Sequence, residues 1–128
     1  MEYAVIIIFL ALLQYMFFSF RVGMNRDKHD IKAPKTVVND QWECMYRVHQ
    51  NTLEQLIIFI PAMLGFQHYM SQTWVILPGV LFLLGRQYYS HQYTKNPEAR
   101  VPGMVIGFLS NVSLILGSLI GIAMVLAA

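Results

Sequence analysis

Four stretches of apolar residues, each as long as a helix that crosses a bilayer, fill most of the chain. A hydrocarbon core about 30 Å thick needs about 20 residues of helix. We predict helices at about residues 1–24, 42–69, 72–93 and 102–127. Because a backbone in lipid must satisfy its own hydrogen bonds, only helices or a closed barrel can span it, and runs of this length exclude the barrel. The pattern therefore predicts an all-α integral membrane protein with four transmembrane helices.

The composition agrees with a membrane protein. The 128 residues are 56% hydrophobic and 12% charged, and that charged fraction is about half of what a soluble domain carries. This length accommodates one domain, so we assign residues 1–128 to a single membrane domain. Short links make consecutive helices antiparallel neighbours, which predicts an antiparallel bundle. We expect the first stretch to be a retained helix rather than a signal peptide, because Glu2 is acidic where a signal peptide is basic.

The basic residues indicate how the bundle is oriented. All nine Lys and Arg residues lie near the first or the third link between helices. The positive-inside rule then places these two links in the cytoplasm and both termini outside. We attribute the net charge of +2 to these basic links on one side of the membrane, and we predict no nucleic-acid partner.

A polar stripe interrupts the second apolar stretch. Arg47, Asn51 and Glu54 lie at helical spacing, so they project from one face of the helix. Ionisable groups inside a membrane helix cost several kcal/mol unless they are paired or functional. In the structural alternative, Arg47 and Glu54 pair with each other or with Arg86 and hold the bundle together.

A second stripe, on the third helix, consists of Arg86, Tyr89 and Tyr93, and Arg100 follows at the next helix. Three arginines and one deep carboxylate, that of Glu54, leave an excess of positive charge, which favours the binding of an anion. Glu54 in turn favours the binding of an ammonium group. Arginine binds carboxylates through paired hydrogen bonds, and an arginine beside a thiol stabilises its thiolate. Glutathione, a peptide with two carboxylates, an amine and a thiol, fits this set.

The first stripe also resembles a known family signature. The pattern Glu43-x-x-Tyr46-Arg47-x-x-x-Asn51-x-x-Glu54, followed by an apolar run, is similar to the second-helix signature of the MAPEG family. These are the membrane-associated proteins in eicosanoid and glutathione metabolism. The match lies at the expected place in a four-helix plan.

The third-helix run Arg86-Gln-Tyr-Tyr89-x-x-x-Tyr93, with Arg100 seven residues later, is similar to the family's other signature. The resemblance covers nearly the whole chain. It implies a homotrimer with glutathione bound between neighbouring subunits near the cytoplasmic face. It further implies a short, bacterial-type member in the inner membrane. The expected function is detoxification by a membrane-bound glutathione transferase that conjugates the glutathione thiolate to lipophilic electrophiles, with glutathione-dependent reduction of lipid hydroperoxides as a second activity.

The resemblance assigns roles to individual residues. Arg100 matches the arginine that stabilises the thiolate and is the predicted catalytic residue. The predicted glutathione-binding residues are Arg26, Arg47, His49, Asn51, Glu54, Arg86, Tyr89 and Tyr93. Glutathione is the expected co-substrate, membrane lipid surrounds the protein, and no metal spacing is present.

Two other classes of function remain open. The first is a non-catalytic homologue that binds lipid or a partner helix through the same stripes. The second is a small four-helix multidrug transporter, which needs an isolated carboxylate in the first helix as a proton relay. The first helix has no ionisable residue between Glu2 and Arg21, which disfavours the transporter.

Overall fold

The computed structural model describes residues 1–28, 40–95 and 101–128, and side-chain positions for residues 1–25, 43–93 and 101–128. These ranges contain four α-helices. They are α1 (Glu2–Lys28), α2 (Asp40–Tyr69), α3 (Ile76–Lys95) and α4 (Val101–Ala127). The predicted all-α fold of four helices is confirmed.

Contacts between α2 and α3 show that these two consecutive helices run antiparallel. Phe59 of α2 stacks on Phe82 of α3, with ring centroids 3.9 Å apart. Nearer the beginning of α2, Thr52 is hydrogen-bonded to Arg86, which lies further along α3. Rising residue numbers in α2 therefore meet falling numbers in α3. Helices α2 and α3 each pack against the other three helices and form the centre of the bundle.

The apolar core lies in the half of the bundle that contains the end of α2 and the beginning of α3. All four helices contribute to it, and small residues of α1 allow that helix to approach closely. Its buried members are Ala4, Ile7, Ile8, Ala11, Leu56, Phe59, Ala62, Met63, Val75, Phe82 and Leu114. Close packing of this kind, rather than exclusion from water, holds helices together in lipid. The other half of the bundle is left for the polar residues.

Helix α4 approaches its neighbours through small residues. A Cβ atom on Gly103 would lie 2.5 Å from Tyr89 Cα. Gly117 similarly faces the ring of Phe66. At these two glycines the packing is within the bundle.

Helix α3 begins at Ile76, later than the sequence suggested. The Ser71 hydroxyl oxygen accepts hydrogen bonds from the backbone N–H groups of Thr73 at 3.2 Å and Trp74 at 3.0 Å. This side chain stabilises a turn where the apolar pattern alone predicted helix. Pro78 consequently lies in the first turn of α3, where its missing N–H costs no hydrogen bond, rather than in the helix interior.

Two helices carry the strongest membrane signal. By length and composition, Glu2–Asn25 and Val101–Ala127 are able to cross a membrane, with mean hydropathies of 2.2 and 2.1. Their outward faces expose large apolar side chains such as Phe17 and Leu116. Among the described residues, α2 and α3 do not meet the same criterion, because their polar stripes lower the mean. The bundle therefore combines an apolar exterior with polar residues on its two central helices.

Candidate functional site

A cleft of about 480 Å³ opens between the first half of α2, the second half of α3 and the beginning of α4. All but one of its lining residues carry a polar side-chain group. They are Arg47, Gln50, Asn51, Glu54, Tyr89, Tyr93 and Met104. Small-molecule pockets occupy about 300–1,000 Å³. The cleft is therefore large enough for a ligand the size of a short peptide.

Helical spacing explains the α2 wall of the cleft. Arg47, Gln50, Asn51 and Glu54 are three or four residues apart and project from one face. Arg47 and Glu54 are exposed, whereas Gln50 and Asn51 are half-buried. Within the described part of the chain, neither Arg47 nor Glu54 forms an ion pair. The predicted stripe thus presents an unpaired cation and an unpaired anion on the same wall, and the structural alternative of an Arg47–Glu54 pair is not observed.

Two stacked tyrosines form the α3 wall. The rings of Tyr89 and Tyr93 lie 5.4 Å apart and are nearly parallel, with an interplanar angle of 14°. Both side chains are buried, and they share an apolar cluster with Phe18, Cys44 and Val48 behind the cleft. This backing from α1 and α2 restricts how far the rings can move. The tyrosine wall is consequently a firm surface rather than a pair of loose side chains.

Arg86 lies behind the tyrosine wall and does not line the cleft. Its side chain is 1% exposed, and its guanidinium carbon lies 4.4 Å from the centroid of the Tyr89 ring. Its Nη2 group donates a hydrogen bond to Thr52 Oγ1 at 3.0 Å. The sequence predicted Arg86 as a glutathione ligand. Because it is one turn deeper in the bundle than Tyr89, it contacts the cleft wall instead of the cleft.

His49 also lies away from the cleft. Its ring stacks on Tyr15 of α1, with centroids 4.8 Å apart and an interplanar angle of 18°. His49 is two positions after Arg47, which rotates it by about 200° around a helix of 3.6 residues per turn. A residue at this spacing faces the opposite side. The predicted contact between His49 and glutathione is therefore not supported by the position of its side chain.

The two remaining predicted residues cannot be placed in the cleft. Arg26 belongs to the last turns of α1, but its side chain lies outside the described residues. Arg100 lies wholly outside them. Both remain assignments that rest on the family resemblance.

Three residues at the site were not among the predicted ligands. Gln50 lines the cleft, and its spacing from Arg47 and Glu54 is a signal that could have found it. Met104 also lines the cleft, but an apolar residue in the first turn of an apolar helix carries no such signal. Thr52 contacts Arg86 from within α2, and only the packing of α2 on α3 reveals it.

Other chemistry-bearing residues do not form a second centre in the described part of the chain. No group of three His, Cys, Asp or Glu side chains there is arranged to hold a metal ion. Cys44, the only cysteine in the sequence, is buried behind the tyrosines. The cleft is thus the described site in which charged, amide and aromatic groups converge.

The chain is similar in sequence to known proteins over most of its length. Over 113 residues the chain is 36% identical to an uncharacterized protein of Synechocystis, a match that covers 88% of this chain and 82% of the relative. It is 30% identical over 112 residues to the microsomal glutathione S-transferase 2 of Homo sapiens, covering 86% and 75% of the two chains. The Mus musculus protein of the same name is 31% identical over 90 residues, covering 70% of this chain and 61% of the relative.

The family model extends over most of the helical bundle. It matches residues 4–120, from the first turn of α1 to near the end of α4. Together with the two apolar spans of α1 and α4, this match identifies a multi-pass membrane protein. The chain belongs to the MAPEG family.

Proposed function

We propose that this protein is a membrane-bound glutathione transferase that holds glutathione in the cleft between α2, α3 and α4. One observation carries the proposal: the polar stripe of α2 and the tyrosines of α3 line the same cleft of about 480 Å³. The similarity to microsomal glutathione S-transferases supports the choice of ligand. Reduction of lipid hydroperoxides is proposed as a second activity, in which two glutathione molecules are oxidised to the disulfide while the hydroperoxide is reduced to an alcohol and water.

The two charged side chains in the cleft match one carboxylate and the ammonium group of glutathione. Arg47 is suited to a carboxylate, because a guanidinium donates two parallel hydrogen bonds to it. Glu54 is suited to the ammonium group. The amides of Gln50 and Asn51 are suited to the peptide groups between the charged ends. A ligand of mixed charge satisfies both unpaired side chains, whereas a simple anion such as a fatty acid leaves Glu54 without a partner.

The proposed chemistry needs an activated thiol and a nearby electrophile. The thiolate attacks an electrophilic carbon, a carbon–sulfur bond forms, and a leaving group such as chloride departs with the bonding electrons. The thiol proton passes to solvent. Arg100, assigned by resemblance, would stabilise the thiolate. Holding both reactants together supplies much of the rate enhancement, with no covalent intermediate on the protein.

Glutathione binding and turnover are measured separately in the test. Isothermal titration of the detergent-solubilised protein gives the glutathione Kd, and conjugation to chlorodinitrobenzene gives kcat and KM. Arg47→Ala and Glu54→Gln are each expected to raise Kd by about tenfold or more, since a hydrogen bond to a charged group contributes about 1.5–3 kcal/mol. Glu2→Gln is the matched control, because that carboxylate is 88% exposed beside the chain terminus.

A modified ligand tests the charge pairing directly. N-acetylglutathione lacks the ammonium group, so it is expected to bind the wild-type protein weakly and to be insensitive to Glu54→Gln. If acetylation of the ligand and Glu54→Gln weaken binding independently of each other, Glu54 does not contact the amine.

Arg100→Ala is expected to lower kcat with little change in Kd. Glutathione binding without any conjugation would support the non-catalytic alternative, and no binding would remove glutathione from the proposal.

We also propose that the protein is a homotrimer. The family resemblance supports this, as does the exposure of Arg47 and Glu54 on the open side of the cleft, where a neighbouring subunit would complete the site. Native mass spectrometry from detergent is expected to give the mass of three chains. A monomer that binds glutathione with full affinity would contradict a site shared between subunits.

The proposed location is a bacterial inner membrane, with the first and third links in the cytoplasm and both termini outside. The support is the clustering of basic residues near those links. A membrane-impermeant thiol reagent applied to intact cells is expected to label Gln72→Cys, in the second link, but not Lys32→Cys, in the first. The reverse labelling would invert the topology.

A further inference from the structure

Thr52 is a fully buried residue of α2 whose hydroxyl group takes part in two hydrogen bonds. The side chain is 0% exposed. The hydroxyl donates its proton to the backbone carbonyl of Val48 at 2.7 Å and accepts a hydrogen bond from Arg86 Nη2 at 3.0 Å. Because a hydroxyl has a single proton, the first bond fixes the direction in which its oxygen can accept. The Thr52 oxygen is therefore a fixed acceptor that faces α3.

The Thr52 hydroxyl is one of the few polar contacts that hold the Arg86 guanidinium in place. Arg86 is 1% exposed, and among the described residues it forms no ion pair and its Nε finds no hydrogen-bond partner. On the α4 side Arg86 faces Gly107, where a Cβ atom would be in ordinary van der Waals contact with Arg86 Cδ, at 3.8 Å. A buried guanidinium without a counter-ion is held by the few contacts that remain. For Arg86 these are the Thr52 hydroxyl and the face of Tyr89.

The contact with Tyr89 connects this pair to the cleft. The Arg86 guanidinium carbon lies 4.4 Å from the Tyr89 ring centroid, a distance at which a cation is attracted to an aromatic face. Tyr89 in turn stacks on Tyr93 at 5.4 Å, and both tyrosines line the cleft. A shift of Arg86 would therefore be transmitted to the tyrosine wall.

We propose that Thr52 and Arg86 are positioning residues of the glutathione cleft. The Thr52 hydroxyl holds the Arg86 guanidinium against Tyr89, and Arg86 sets the position of the tyrosine wall that contacts glutathione. The proposal rests on the proposed function, since it takes glutathione as the ligand of the cleft. Neither residue touches the ligand, so their substitution acts through Tyr89.

The test removes the hydroxyl and then restores it. Thr52→Val keeps the shape of the side chain, and Thr52→Ala removes the same hydroxyl with less bulk, so the two variants are measured in parallel. Both are expected to raise the Kd and the KM for glutathione about tenfold, which corresponds to about 1.4 kcal/mol, with little change in kcat. Thr52→Ser is expected to restore wild-type values, because serine retains the acceptor.

Ser118→Ala is the matched control. Ser118 is also a buried hydroxyl between two helices, donating to the Leu114 carbonyl at 2.7 Å, but it lies at the other end of the bundle. It is expected to lower the melting temperature without changing the Kd. If Ser118→Ala weakens glutathione binding as much as Thr52→Val, or if Thr52→Ser fails to restore binding, the effect is general destabilisation and the proposal is overturned.

A double-mutant cycle tests the route through the tyrosine wall. In a Tyr89→Leu background, Thr52→Val is expected to have no further effect on Kd, because the ring that Arg86 positions is gone. Additive effects would overturn the proposed route. If the wild-type protein binds glutathione and Thr52→Val binds it equally well, only the positioning role is overturned. If the wild-type protein binds none, the proposed function and this inference are overturned together.

Discussion

Gly103 at the start of α4 lies directly against the backbone of Tyr89 in α3. A Cβ atom on Gly103 would be 2.5 Å from Tyr89 Cα and 2.7 Å from its backbone nitrogen. Both obstructing atoms belong to the main chain, so no change of rotamer can relieve the overlap. Because the adjacent Met104 lines the cleft, the contact fixes the width of the cleft where α3 and α4 meet.

Gly103→Ala is therefore expected to push α4 away from α3. Overpacking of this kind costs about 1–3 kcal/mol, so the melting temperature should fall, and the glutathione Kd should rise because the tyrosine wall shifts. Gly23→Ala is the control, since a Cβ atom at Gly23 meets nothing within 4 Å. Alanine there should be neutral or stabilising by up to about 1 kcal/mol. Equal melting temperatures for both variants would contradict the close approach.

Tyr93→Phe is expected to weaken glutathione binding without lowering the melting temperature. The substitution keeps the ring that stacks on Tyr89 and removes a hydroxyl from the lining of the cleft, where a lost hydrogen bond costs about 0.5–1.5 kcal/mol. Tyr88→Phe is the matched control, because Tyr88 is on the same helix but is 43% exposed and does not line the cleft. Equal glutathione Kd values for the two variants would remove the Tyr93 hydroxyl from the site.

The amide pair between α2 and α4 is expected to contribute to stability and not to binding. Asn111 Nδ2 donates a hydrogen bond to Gln55 Oε1 at 3.0 Å, and neither residue lines the cleft. A double-mutant cycle with Gln55→Leu and Asn111→Leu should give a coupling energy of about 0.6 kcal/mol, as is common for hydrogen bonds between membrane helices. Thermal unfolding measures it, and a large change in glutathione Kd would indicate that the cleft reaches this pair.

His49→Phe is expected to leave glutathione binding unchanged. Phenylalanine retains the stacking on Tyr15, while the imidazole nitrogens are lost. His49→Ala, which removes the stacking as well, should lower the melting temperature. A rise in the glutathione Kd of His49→Phe would instead support the contact between His49 and glutathione that the sequence predicted.

The sequence allowed the number of helices and much of the site to be predicted, because apolar length and helical spacing are local properties. Arg47, Asn51 and Glu54 needed only the spacing of a helix. The tyrosines needed, in addition, the resemblance of the third-helix run to the family's other signature. Local patterns thus identified the walls of the cleft.

The remaining differences arise from contacts between helices. The start of α3 depends on the Ser71 side chain, which competes with helix formation over a stretch that the apolar pattern does not distinguish. The position of Arg86 depends on a hydroxyl from α2, which the sequence of α3 does not reveal. Met104 lines the cleft only because Gly103 brings α4 close to α3. None of these contacts produces a periodic pattern of residues in the sequence.

The apolar outer faces of α1 and α4 determine the phase in which an electrophile would meet the protein. Each methylene group buried in a bilayer favours partitioning by about 0.8 kcal/mol, so a lipophilic substrate collects in the membrane that surrounds these helices. Its mole fraction in lipid, rather than its bulk molarity, would then govern saturation. Adding vesicles without protein would lower the mole fraction of the electrophile in the lipid. Conjugation would then be slower, even though the total amounts of protein, glutathione and electrophile stay the same.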